Sequence, residues 1–164
     1  MFAVGADPIR LPIEGDAAAD ILSVNDLDDY ARFASRLEGV TRVAVLGAGL
    51  IGCEFANDLL SRGISPTVID LAPRVLPRLL PEAASERMQQ RLTEAGAAFR
   101  FGVSVTRAER AGQATRLQLS DGSELEAELV LSAVGLRPRT ELAAAAGLRV
   151  NRGIAGGRLV IGAV

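Results

Sequence analysis

Residues 43 to 70, VAVLGAGLIGCEFANDLLSRGISPTVID, restrict the fold more than any other stretch of this chain. Val43-Ala44-Val45-Leu46 is an unbroken apolar run, the pattern of a parallel strand buried on both faces. It leads directly into Gly47-Ala48-Gly49-Leu50-Ile51-Gly52, a G-x-G-x-x-G turn. A helical pattern follows, with Ile51, Phe55, Leu59 and Leu60 predicted on one side and Gly63 placed as its C-cap. A second strand, residues 66 to 69, then delivers Asp70, 23 positions after Gly47. In such a unit Gly47 suits the tight turn, Gly49 leaves backbone open to a pyrophosphate, and Gly52 permits close packing of helix on strand. The amides near Leu50 and Ile51 are predicted to face phosphates, and Asp70 to accept both ribose hydroxyls. A lone glycine-rich turn is common. The strand, helix and terminal acid around this one favour dinucleotide binding over a purely structural unit.

The rest of the composition mainly excludes. The 164 residues suit one domain with tails, and 49% are apolar, enough for a large and mostly aliphatic core, since aromatics make up only 4%. A net charge of −2 gives no reason to expect nucleic acid or an anionic membrane as partner. No apolar run approaches the ~18 residues of a membrane span. There is no histidine, so the usual general base and the commonest metal ligand are missing, and no metal site is expected. The single cysteine, Cys53, rules out an intrachain disulfide or a Cys-x-x-Cys pair. Its place early in the helix allows a lowered thiol pKa, but a small buried packing residue is the favoured reading.

In chain order, residues 2 to 8 read as the end of a strand and residues 9 to 23 as a linker. Asn25 or Asp26 caps a helix running to about Leu37, with Leu27, Tyr30, Ala31 and Ala34 inward. Asp26, Asp28 and Asp29 crowd its first turn, where the helix dipole favours acids. After Asp70 comes a loop with two prolines, then a helix over 82–95 with Ala84, Met88, Leu92 and Ala95 on one stripe, stopped by Gly96. Phe99 to Phe101 is a short strand. Residues 103–110, 115–119 and 124–128 alternate, and Asp121-Gly122 marks a hairpin between the last two, which predicts an antiparallel meander. Residues 129–134 form another buried strand, and 141–146 a short helix closed by Gly147. The fold class is α/β: a Rossmann-like doubly wound parallel sheet with an antiparallel β-meander on one face. Ala3-Val4-Gly5-x-x-Pro8 recurs as Ala133-Val134-Gly135-x-x-Pro138, each at the end of an apolar strand. Arg158 to Val164 stops on apolar residues, so both ends look cut from a longer protein.

This order of motifs resembles the NADH domain of the two-dinucleotide-fold flavoprotein reductases, the pyridine nucleotide–disulfide oxidoreductase superfamily, and within it the rubredoxin reductases. The stretches that carry the resemblance are Asn25 to Phe33, Gly47 to Leu59, and Ser132 to Leu142. It implies residues 1–23 as the end of an FAD-domain segment and linker, 24–150 as the NADH-binding domain, and 151–164 as a truncated return segment toward the FAD domain. By position, Gly47, Gly49 and Gly52 resemble the pyrophosphate loop, and Asp70 the acid that holds the adenosine ribose. Gly135 matches the glycine whose backbone lies along the nicotinamide. Glu54 matches the glutamate near the meeting point of nicotinamide and flavin, a catalytic candidate; a carboxylate simply favoured by the helix dipole is the other reading. Leu71 stands where NADPH-dependent relatives place an arginine, and Arg139 where most relatives have asparagine, which leaves its role open.

The resemblance implies NAD(H) as the bound cofactor, with FAD in the full-length protein only. That protein would pass hydride from NADH to FAD and then electrons to a small iron protein such as rubredoxin. The isolated chain is expected to be inactive, to use its own FAD domain as partner, and to self-associate weakly through apolar surface. The expected compartment is the cytoplasm. The alternatives are the reductase component of a dioxygenase or nitrite-reducing system, and a non-catalytic NAD-sensing module.

Overall fold

A computed structural model of the chain describes residues 3–155, which fall into two units: residues 10–134, and a smaller one of residues 3–9 with 135–155. The strand residues at 2 and the apolar end at 158–164 lie outside the described residues, as do positions 156–164 of the expected return segment. Among the described residues no helix is long and apolar enough to cross a membrane.

The smaller unit pairs β1 (Ala6–Pro8) with a late strand, residues 136–138, in antiparallel register Ala6↔Pro138, Asp7↔Arg137 and Pro8↔Leu136. These are the two halves of the repeated motif, laid against each other. Gly5 and Gly135 both have left-handed backbone, with φ of 72° and 111°. The carbonyl of Gly5 accepts the Arg139 N–H, and that of Gly135 accepts the Ile9 N–H, each at 3.0 Å. Those two bonds are equivalent under the motif's own offset, so the echo is a local two-fold pairing. Arg139, whose role the sequence leaves open, donates Nε to Asp7 Oδ1 at 2.8 Å across this pair.

In the larger unit, α1 (Leu27–Arg36) is capped by Asp26, whose carboxylate accepts the Asp29 N–H at 2.8 Å, while Asp29 accepts the Asn25 N–H in return. The acids of this turn are thus a capping device. Four parallel strands follow as β2 (Arg42–Leu46), β3 (Ser65–Asp70), β4 (Ala98–Phe101) and, after the meander, residues 129–132. The first two crossovers are α2 (Leu50–Ser61) and α3 (Glu82–Glu94). The third is the meander β5 (Val105–Ala111), β6 (Ala114–Leu119) and β7 (Glu124–Ala127), which leads into β8 (Leu129–Ser132). Residues 136–138 are then β9, and Glu141–Ala145 is α4.

The sheet order is β4-β3-β2-β8, so the chain steps outward twice and then returns to the other side of β2. Val43, Val45, Val68, Leu129 and Leu131 pack with Phe33, Cys53, Ala56 and Leu59 of the helices. Ala44, Leu46, Ile69 and Val130 pack instead with Val105, Leu117 and Leu119 of the meander. Helices cover one face and the meander the other, as the doubly wound reading expects. Residues 10–22 form no regular strand, yet their backbone is bonded along β5 and β8, through Glu14 N–H to Thr106, Ala17 N–H to Ala108 and Leu22 N–H to Val130.

Three helix faces differ from the sequence expectation. In α1, Leu27 is 85% exposed and Tyr30 46%, and the inward residues are Phe33 and Leu37. In α2, Ile51 is half exposed, and Gly52, Cys53, Ala56 and Leu59 are buried. In α3, Ala84 and Ala95 are exposed, whereas Ser85 is fully buried beside Leu92. In α2 small residues occupy the tight contact with the sheet, and the large Ile51 at the rim had set the phase. The end of α2 is as expected: Gly63 (φ 74°) donates to Leu60, and Ile64 to Leu59, both at 3.0 Å, a Schellman closure.

Candidate functional site

The sheet reverses its winding between β2 and β8, and in open α/β sheets the crevice beyond the carboxyl ends of such strands is where ligands bind. The β2 end of this crevice is the glycine turn. Each glycine meets a different demand. Gly47 has φ 109°, and a Cβ there would lie 2.6 Å from the carbonyl oxygen of Ala133, just past the end of the neighbouring strand β8. At Gly52 a Cβ would fall 1.9 Å from the Gly47 oxygen, so helix and turn touch through bare backbone. Gly49 is exposed, and a Cβ there would meet nothing within 4 Å. Two of the glycines are thus required by the protein's own packing, and the third borders open space.

Gly49 is the N-cap of α2 and has no side chain to satisfy the first helical amides. Among the described residues the N–H groups of Gly49, Leu50, Ile51 and Gly52 have no acceptor; the first intrahelical bond is Cys53 N–H to Gly49 at 3.0 Å. Four unpaired amides at the positive end of a helix form an anion-binding cradle. Leu50 and Ile51 are half exposed here, as residues that contribute backbone rather than side chain can be.

Asp70 ends β3 beside this cradle. Its Oδ2 accepts the Ala48 N–H at 2.5 Å and its Oδ1 the Ala72 N–H at 2.7 Å. Each oxygen keeps a lone pair for a further donor. Leu71, the next residue, is 70% exposed. The loop beyond folds back over the turn, with Leu76 N–H donating to Ala48 O at 2.9 Å. Leu76 has φ 49° and is the described non-glycine residue with left-handed backbone, a conformation costing a residue with a Cβ roughly 1–2 kcal/mol. In the same loop Arg74 Nε is buried with no acceptor among the described residues. Sequence reasoning found Asp70 but missed Leu76 and Arg74; Pro77 directly after Leu76, which disfavours ordinary helical backbone there, was the available signal.

Cys53 is 1% exposed, and its thiol lies 3.6 Å from the Ala48 carbonyl. Burial, with the charges of Asp70 and Glu54 added, pushes its pKa up to about 11. The thiolate is disfavoured, and Cys53 is a packing residue. Glu54 is exposed on α2. Gly135 belongs to the smaller unit, so the larger unit brings together Gly47, Gly49, Leu50, Ile51, Gly52 and Asp70.

The chain is 49% identical over 156 residues to the rubredoxin-NAD(+) reductase of Alcanivorax borkumensis, which covers 94% of this chain and 41% of that protein. Among solved structures it is similar to a ferredoxin reductase from Rhodopseudomonas palustris, with a TM-score of 0.86, 36% identity, and coverage of 93% of this chain and 38% of the other. It is also similar to the reductase in the covalent putidaredoxin reductase–putidaredoxin complex, with a TM-score of 0.83, 32% identity, and coverage of 92% and 38%. The chain therefore spans about two fifths of the length of these relatives. Residues 1–156 match the family described as pyridine nucleotide-disulphide oxidoreductase, and the chain belongs to that family.

Proposed function

We propose that the chain is the NAD(H)-binding domain of an FAD-dependent NADH:acceptor oxidoreductase. The observation that carries this reading is the cradle of four unpaired amides from Gly49 to Gly52, open where a Cβ of Gly49 would stand and flanked by the Asp70 carboxylate. These residues fit a dinucleotide. The amides hold the pyrophosphate, Asp70 accepts the adenosine ribose hydroxyls through its remaining lone pairs, and the exposed flanks of Leu50 and Ile51 line the approach. Gly135 is the proposed backbone contact for the nicotinamide, and Glu54 the residue that orients it. Bound NADH would supply a hydride, which the flavin of the longer protein would convert into two single electrons and a proton released to solvent.

Relatives named rubredoxin-NAD(+) reductase, and a neighbour solved in complex with putidaredoxin, support a small iron protein such as rubredoxin as the acceptor. The compartment proposed is the cytoplasm, with neither nucleic acid nor membrane as partner. The test is to follow backbone amide signals while NADH is added to the chain. Shifts at residues 49–52 and 70–72 are expected; saturable binding with shifts confined to other residues would contradict the assignment.

A further inference from the structure

The direction of the Gly49 N–H is fixed from a distance. Peptide bonds in the described chain are all trans, so within each peptide the C=O and N–H point opposite ways. The Ala48 carbonyl is turned toward Leu76, whose N–H it accepts at 2.9 Å. The Gly49 N–H of that same peptide therefore points away from Leu76, on the exposed side, where it has no acceptor among the described residues.

The next peptide back is held in the same fashion. The N–H of Leu76 is engaged by Ala48, and the other end of its peptide, the Val75 carbonyl, accepts the hydroxyl of Ser85. Ser85 sits on α3, is 0% exposed, and is the buried polar side chain of the described core. Val75 is also 0% exposed, so no water can substitute for that hydroxyl. The Val75–Leu76 peptide is thus gripped at both ends, with Leu76 kept in left-handed backbone between them. Alanine would fill nearly the same space, but it would leave the buried Val75 carbonyl without a donor.

We propose that Ser85 is a positioning residue for nucleotide binding: through the Val75–Leu76 peptide it holds the Ala48–Gly49 peptide with its N–H turned outward for a phosphate oxygen. The inference rests on the dinucleotide reading of the glycine turn and goes beyond it, because Ser85 lies on a different helix from the cradle and never meets the ligand. Without the hydroxyl, the Val75 carbonyl loses its donor, the Leu76 peptide is less firmly held, and the Ala48–Gly49 peptide is left with the weaker Cys53 thiol donor at 3.6 Å to set its plane. The Gly49 N–H then samples directions in which it cannot meet the pyrophosphate, and part of the binding free energy goes to reordering it.

The test compares three variants of the chain with the wild type by NADH titration and by the exchange rate of the Gly49 amide. Ser85→Ala removes the first donor. A backbone ester at Leu76, made by incorporating the α-hydroxy acid, removes the second without changing any side chain. A backbone ester at Leu79, whose N–H donates to the Leu76 carbonyl at 3.0 Å, is the control for loss of a hydrogen bond in the same loop. Ser85→Ala and the Leu76 ester are expected to weaken NADH about three- to tenfold, the worth of one hydrogen bond. Both are also expected to reduce the protection that NADH gives the Gly49 amide, and the Leu79 ester to change neither. Unchanged affinity and Gly49 protection in the Leu76 ester would overturn the inference, even if Ser85→Ala does not fold. A wild-type chain that binds no NADH would overturn the dinucleotide reading itself, and this inference with it.

Discussion

The carboxylate of Asp70 holds the amide of Ala48 at 2.5 Å, so the acid at the end of β3 is bonded to the middle of the glycine turn before any ligand arrives. Its second oxygen holds Ala72 at 2.7 Å. Asp70 therefore has two tasks, fixing the turn and presenting its remaining lone pairs to a ribose. Asp70→Asn sets an NH2 group against one of those two N–H donors and removes the charge. We expect a loss of about 1–3 kcal/mol in stability from the unmatched donors and a ten- to hundredfold loss of NADH affinity. Thermal melts and fluorescence titration of the same preparation measure both; a variant with full stability and full affinity would show that neither bond matters.

Gly49 and Gly52 separate binding from folding. Gly52→Ala places a Cβ 1.9 Å from the Gly47 oxygen, backbone that cannot give way, and is expected to cost about 1–3 kcal/mol or more in urea unfolding. Gly49→Val meets no neighbour within 4 Å and is expected to leave the unfolding midpoint nearly unchanged while abolishing NADH binding. The reverse pattern would mean that the ligand approaches from another side.

Glu54 is exposed on α2, and no ribose or phosphate role is assigned to it. Glu54→Gln in this chain is expected to keep NADH affinity within about twofold, and in the full-length protein to slow hydride transfer, a positioning effect rather than one of uniform binding. Stopped-flow reduction of the flavin reads the second quantity. An unaltered rate would leave Glu54 as a carboxylate favoured by the helix dipole.

Glu128 sets an acid limit on the sheet. Its carboxylate accepts the N–H groups of Thr41 at 2.7 Å and Arg42 at 2.9 Å, where β2 begins. These bonds, with the Thr41 hydroxyl and the Arg42 charge, hold its pKa below the ordinary 4.5. A pKa depressed by folding stabilises the protein above the unfolded-state value, and that contribution is lost as pH falls through the folded-state value. Melting temperature is expected to decline below about pH 4.5, and Glu128→Gln to melt lower at pH 7 with a flatter decline. Parallel pH profiles for the two proteins would rule this out.

What the sequence made legible were local backbone demands. Gly47, Gly52, Gly63 and Gly122 stand at turns that their neighbours already announce, and the structure shows positive φ or a forbidden Cβ at each. The phase of the helices was less legible. Large residues such as Leu27 and Ile51 dominate a periodicity count, yet the contact with the sheet is made by Gly52, Cys53 and Ala56, whose smallness is what permits close approach. The links from Ser85 to Val75, Leu76 to Ala48 and Ala48 to Asp70 were invisible. They span 10, 28 and 22 positions, each with a backbone atom at one end at least, and any residue type supplies a backbone carbonyl and nearly any an amide. The two Ala-Val-Gly-x-x-Pro motifs were legible as a repeat, but repetition carries neither partner nor register, and their meeting as a strand pair was not.

The account stands most directly on which nucleotide the chain prefers. Asp70 would set a carboxylate against the 2′-phosphate of NADPH, and exposed Leu71 offers it no cation. Calorimetric titration of the purified chain with NADH and NADPH is expected to show NADH bound about ten- to a hundredfold more tightly. Equal or tighter binding of NADPH, or heat from neither, would contradict the assignment of the glycine turn and Asp70 as an NADH site.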